Sequence, residues 1–263
     1  MKVTFSFRKA VTLLVATLLL SSFTLAIAFL SKSNKAADPS KANPTLILWA
    51  WERPTDLRFI DPQRVGVAFL AKSILLRSDD VAVRPRLQSL QLAERTRVIA
   101  VTRIETDRDH KPNLSASQRD AATRAITDMV SLPNVSEIQI DFDATKSERS
   151  FYRDLITDVR QRLPAHVRLS ITALASWCMS DDWISDLPVD EAVPMLFRMT
   201  GDGKQIVTRL DAGDDFNAEP CRQSYGISLD EHRPKFFPSR KLFVFNPDAW
   251  TEKSVREISE SNK

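Results

Sequence analysis

Glycine is the first scarcity: the chain of 263 residues holds five, where roughly 7% is usual. They stand at Gly66, Gly201, Gly203, Gly213 and Gly226. A phosphate-cradling loop needs glycine amides ahead of a Gly-Lys-Ser/Thr triplet, and none occurs. Gly201-Asp202-Gly203 comes nearest to a dinucleotide fingerprint, but Ile206 stands where its third glycine belongs. These gaps argue against P-loop phosphoryl transfer and Rossmann hydride transfer. Histidine is scarce too, with three, and cysteine has two. No HExxH and no clustered Cys/His pattern appears, so neither a metal centre nor a cofactor is expected. The carboxylate-rich run at 105–110 lacks the glycine and twelfth-position glutamate of an EF-hand and reads as a solvated loop.

A charge excess is missing as well, once the first 30 residues are set apart. They hold Lys2, Arg8 and Lys9 and no acid, so 34 of the 37 basic residues face 34 acidic ones in the remainder. A neutral folded part argues against gripping nucleic acid, which needs a basic face. What those 30 residues do have is an uncharged apolar run at 10–30, AVTLLVATLLLSSFTLAIAFL. Read as a hydrophobic helix of about 1.5 Å rise per residue, it is long enough to span a bilayer core of roughly 30 Å. Its basic flank predicts an N-in orientation, placing everything downstream in the periplasm or outside the cell. Ala26-Ile27-Ala28 also fits a small-x-small cleavage site, so a signal peptide released near Ala28 competes with an uncleaved anchor. The length of the run favours the anchor. The polar stretch 31–44 reads as a linker, leaving 45–263 as one domain. Export makes a disulfide between Cys178 and Cys221 available. The sequence does not decide between that bridge and two buried thiols.

Eight short apolar runs follow, at 45–51, 65–70, 97–104, 136–142, 167–173, 191–197, 224–229 and 241–245. Helical spacing of Phe151, Leu155, Val159 and Leu163 predicts a helix over about 148–163, ended by Pro164. Ser117 to Asp120 reads as a capping box before a helix burying Ala122, Ala125, Ile126 and Met129. Thr251 caps a final helix carrying Val255 and Ile258. Residues 68–84 read instead as a strand, a turn at 78–80 and a return strand. Eight strands with helices after most of the later ones predict an irregular (β/α)8 barrel, with an open α/β sheet as the alternative.

In such a barrel, functional side chains gather at the C-terminal ends of the strands. The run IQIDFDA puts Gln139, Asp141 and Asp143 on one face of a strand by its period of two. Neighbouring carboxylates repel, so one can hold its proton while the other stays ionised, as acid/base work requires. The competing reading makes them solvated or helix-capping aspartates. The first strand ends in WAWERP, offering Trp51 as a stacking platform, Glu52 as a candidate acid and Arg53 as a ligand for hydroxyls. Arg103 and Glu105 end the third strand, Trp177 follows the fifth as a second stacking platform and Arg198 ends the sixth. Asp230 and Glu231 end the seventh.

WERPTDLRFIDPQRVGVAFLA, EIQIDFDATKSERSFYRDLITDVRQRLP, SITALASWC, DEAVPMLFRM and FVFNP resemble a bacterial family known only as domain of unknown function 3142. That resemblance implies an exported or envelope-attached bacterial protein and assigns no chemistry. IQIDFDA is also loosely similar to the DxxDxDxE motif of chitinase-like glycosidases. Asp141 and Asp143 match its second and third aspartates, but Ile138 stands at the first and Thr145 at the acid glutamate. A hydrolase would therefore need another acid, Glu52 or Glu105. Two functions follow as expectations. One is an envelope-glycan hydrolase using Asp141 and Asp143; the other is a non-catalytic carbohydrate-binding or envelope-assembly protein on the same barrel.

Overall fold

The structure, a computed structural model, describes residues 44–237 and 239–261. The hydrophobic run at 10–30 lies outside them, as does the linker up to residue 43. Among the described residues no helix is long and apolar enough to cross a membrane.

The first apolar run becomes β1 (Leu46–Ala50), buried along its whole length. A short β2 (Thr55–Leu57) follows, then the long β3 (Val65–Arg77). Ser78, in the left-handed region at φ 46°, turns the chain into the antiparallel β4 (Asp80–Pro85). Next, β5 (Leu90–Leu92) pairs with β2 in a two-stranded sheet of its own, and β6 (Val98–Thr106) returns to the main sheet. From there strands and helices alternate. They run α1 (Ala116–Thr127), β7 (Val135–Asp141), α2 (Arg149–Arg162), β8 (Arg168–Leu174), α3 (Ala175–Met179) and β9 (Glu191–Met195). The chain ends with α4 (Gly203–Asp211), β10 (Ser224–Ser228), β11 (Lys241–Phe245) and α5 (Glu252–Ser261).

Eight of these strands pair in parallel in the order β1, β3, β6, β7, β8, β9, β10, β11. The pairing of β11 with β1 closes the ring. Closure removes the open-sheet alternative, and the eight barrel strands are the eight apolar runs of the sequence. The early half has no helix between β1 and β6; β4 and the β2–β5 pair occupy that stretch instead.

Strand alternation divides the core in two. Ile47, Trp49, Ala68, Ile99, Val101, Val193 and Phe243 fill the barrel interior. The opposite faces meet the helices, where α2 buries Phe151, Tyr152, Leu155, Ile156 and Val159. Each such side chain contributes about 1.5–3 kcal/mol. Interior space is tight at Gly226, where an added Cβ would lie 3.0 Å from Trp49 Cη2 and 3.1 Å from the Pro194 carbonyl oxygen. Polar groups plug the N-terminal end. Glu137 and Glu191 are buried there, with Arg97 and Arg168 near Glu137, and Lys241 and Arg168 near Glu191.

One local expectation needs correction. The capping box is formed by Ser115 and Gln118, two residues earlier than Ser117 and Asp120. Ser115 has the extended backbone that an N-cap requires, whereas Ser117 is already helical. Asp120 instead pairs with Arg124 and Arg162 on the surface.

Candidate functional site

The period-two rule that fills the barrel also builds its mouth. On β7, Gln139 and Asp141 both point inward and are buried. Gln139 Oε1 accepts from the indole Nε1 of Trp49 at 3.0 Å, and its Nε2 donates to Ser170 Oγ at 3.3 Å. This bridge fixes the first tryptophan of WAWERP as part of the floor. Trp250 Nε1 steadies the same segment by donating to the Trp49 carbonyl at 2.9 Å.

One turn of the pleat higher lies Asp141, only 4% exposed. Its Oδ1 accepts from Thr172 Oγ1 at 2.6 Å and its Oδ2 from Arg103 Nη1 at 3.0 Å. Arg103 also donates from Nε to Glu105 at 3.0 Å. Burial works to lower the Arg103 pKa, but Asp141 and Glu105 outweigh it and raise the value. Above this pair lies a cavity of about 420 Å³ with an aromatic wall. Trp49, Trp51, Phe197 and Phe245 form that wall, with Arg103, Asp141 and Arg198 as its charged members. The rings of Phe197 and Phe245 are parallel within 3°, with centroids 5.8 Å apart.

A second cavity, of about 440 Å³, adjoins the first and shares Arg103, Met195, Phe197 and Arg198 with it. Its further lining includes Asp143, Ser176, Thr200 and Asp202. The Asp143 pKa is raised, first by burial and then by the charges of Asp141 and Glu105, with Arg103 opposing. Tyr152, fully buried behind the pair, has its pKa raised well above the usual tyrosine value by burial and by the same two aspartates. Arg198 sits in the left-handed region at φ 54°. Asp230 and Glu231 hold its guanidinium at 3.1 and 3.2 Å, and Glu231 also accepts from its backbone N–H.

The mouth thus gathers Trp51, Arg103, Asp141, Asp143 and Arg198, with Glu105 behind Arg103. Other expected residues lie elsewhere. Glu52, in the bend after β1, lines a separate cavity of about 220 Å³ with Lys72, Arg84 and Arg86, so it is not brought to the aspartates. Arg53 donates from Nη2 to the Pro247 carbonyl at 2.6 Å, tying down a loop of the mouth rather than lining it. Trp177 offers no platform: it is 3% exposed and packs edge-on against Trp183, their centroids 5.0 Å apart. Its neighbour Cys178 explains that placement. Cys178 and Cys221 form a disulfide that pins α3 to the turn before β10. At the position of the chitinase-type acid, Thr145 is exposed and bonds through N and Oγ1 to Glu148, both at 2.7 Å.

Phe197, Phe245 and Arg86 are among the residues of the site that the sequence analysis does not single out. Phe197 and Phe245 follow from the same alternation that located Asp141, applied to EAVPMLF and KLFVF. Arg86 had no such signal. It donates to the carbonyls of Ala50, Trp51 and Arg53 from 33 to 36 positions away and so secures the end of β1.

No curated protein matches the chain. Among solved structures it is similar to the crystal structure of the chitinase domain of the spore coat protein CotE from Clostridium difficile. Identity is 14% and the TM-score 0.41; the match covers 81% of this chain and 66% of that one, just under two thirds. Residues 93–199, from just before β6 to just past β9, match the family model "Domain of unknown function (DUF3142)", so the resemblance read from the sequence holds over the strands that carry Arg103, Asp141, Thr172 and Met195.

Proposed function

We propose that this chain is an exported protein whose barrel mouth binds a carbohydrate. The observation that carries the reading is the aromatic-walled cavity over the Arg103–Asp141 pair. Sugar rings present an apolar face to aromatic side chains and a polar rim to charged ones, and this cavity supplies both. Export rests on the apolar run at 10–30 with its basic flank, and the Cys178–Cys221 disulfide supports it independently, since such bonds persist in oxidising compartments. The run serves as an N-in anchor to the cell envelope. Titration of the full-length chain with a panel of oligosaccharides, read by tryptophan fluorescence, tests the binding. Saturable change lost in Trp51→Ala supports the reading, and no response to any saccharide contradicts it.

Hydrolysis is the second reading, and one observation favours it. Asp143 has its proton affinity raised beside the buried Asp141, the division of labour that general acid catalysis uses. Against it stand the two hydrogen bonds already held by Asp141 and the absence of a carboxyl at Thr145. Binding is therefore our conclusion. Turnover of a bound oligosaccharide that disappears in Asp143→Asn would replace it with hydrolysis.

A further inference from the structure

The charge inventory of the mouth narrows the ligand class, an inference that rests on the carbohydrate reading. Two guanidiniums, Arg103 and Arg198, line both cavities. Each is already held by two carboxylates: Arg103 by Asp141 and Glu105, Arg198 by Asp230 and Glu231. Two further carboxylates, Asp143 and Asp202, line the second cavity and take part in no ion pair among the described residues. Three carboxylates, Asp141, Asp143 and Asp202, therefore line the two cavities against two guanidiniums, three more carboxylates lie behind those guanidiniums, and no lysine or histidine lines either cavity. Lys204 and His232 line a neighbouring depression, with Glu231 between the two sites. A concave site with an unbalanced charge of one sign concentrates ligands of the other. Aromatic faces add to the attraction, because their π-systems favour ammonium groups.

The shape of the mouth sets the length. The two cavities meet at Met195, Phe197 and Arg198, so one ligand can occupy both. We infer that the mouth takes a cationic saccharide of at least two units, an amino sugar with free ammonium groups. One ring lies against Trp51 and Phe245, and the ammonium of its neighbour faces Asp143. An N-acetylated unit would place a neutral amide there and leave the Asp143 charge unrelieved. A uronic acid would bring a further carboxylate to a lining that already holds three.

Three tetrasaccharides test this on the full-length chain: fully deacetylated glucosamine, its N-acetylated counterpart, and a uronic acid. The expected result is at least tenfold tighter binding of the deacetylated form. That preference should shrink several-fold between 50 mM and 500 mM salt, because the charges are exposed enough to be screened. Asp143→Asn should reduce the preference to threefold or less while leaving the fold intact by circular dichroism. Equal or tighter binding of the N-acetylated or acidic form overturns the cationic assignment and leaves the carbohydrate reading standing. No binding of any of the three, in a protein that folds, overturns both.

Discussion

Arg103 Nη1 and Asp141 Oδ2 lie 3.0 Å apart, joining the neighbouring strands β6 and β7 at the mouth of the barrel. Their registers are matched, since Arg103 and Asp141 are direct partners in the parallel ladder. The aspartate side chain is 5% exposed and the arginine 36%, so the carboxylate depends on its partner far more than the reverse. Arg103→Ala leaves Thr172 as the remaining donor to a buried charge. We expect it to cost about 1–3 kcal/mol by denaturant unfolding, below the cost of breaking a fully buried pair because water reaches the arginine. Asp141→Asn should cost less, because Arg103 keeps Glu105.

Gly226 keeps the floor open. Alanine there would bring its Cβ within 3.0 Å of Trp49 Cη2, 3.1 Å of the Pro194 oxygen and 3.3 Å of Val193 Cγ1. Gly226→Ala should destabilise the protein by about 1–3 kcal/mol, in the manner of overpacked cores. The Trp49–Gln139 hydrogen bond should weaken with it. A red shift in tryptophan emission accompanying the lower stability would report that movement.

The disulfide closes a loop of 43 residues and has both its cysteines fully buried. Replacing both cysteines by serine should remove about 2–4 kcal/mol. For a domain of this size, that lowers the melting temperature by roughly 5–15 °C. Melting curves in the presence and absence of reductant give the same comparison on the unmodified chain. Because the bridge holds α3, its loss should also loosen the second cavity more than the first.

Asp143 sets a pH dependence whose sign can be worked out. Its pKa is higher in the folded protein than in the unfolded chain. The folded state therefore holds this proton more tightly, and stability falls as pH rises from the ordinary aspartate range through the raised value. Asp143→Asn should be more stable than the parent at pH 7, and the difference should vanish below the ordinary aspartate pKa. Melting temperatures of the two proteins across pH 3–7 check this. A parent that gains on the variant as pH rises would contradict the assignment.

The barrel was legible because its strands are apolar runs bounded by polar loops, and period-two alternation fixes which side chains face inward. That rule brings Gln139 and Asp141 to the interior, whereas Glu52 lies in the bend after β1, where strand alternation no longer sets direction. Trp177 was illegible for a different reason. It lies in α3, and nothing local told which face of so short a helix would be buried before the Cys178–Cys221 bond was known. The β2–β5 pair has three residues a strand, too few for any pattern to stand out. Ser117 misled because serine at 115 and at 117 both suit a cap, and only the backbone angles distinguish them.

The most direct measurement is a crystal structure of the full-length chain soaked with an oligosaccharide. We predict ordered sugar density against Trp51 and Phe245 in the cavity above Arg103 and Asp141, continuing past Phe197 towards Asp143. Sugar bound elsewhere on the surface with the mouth left empty, at concentrations that saturate the fluorescence change, would contradict the account.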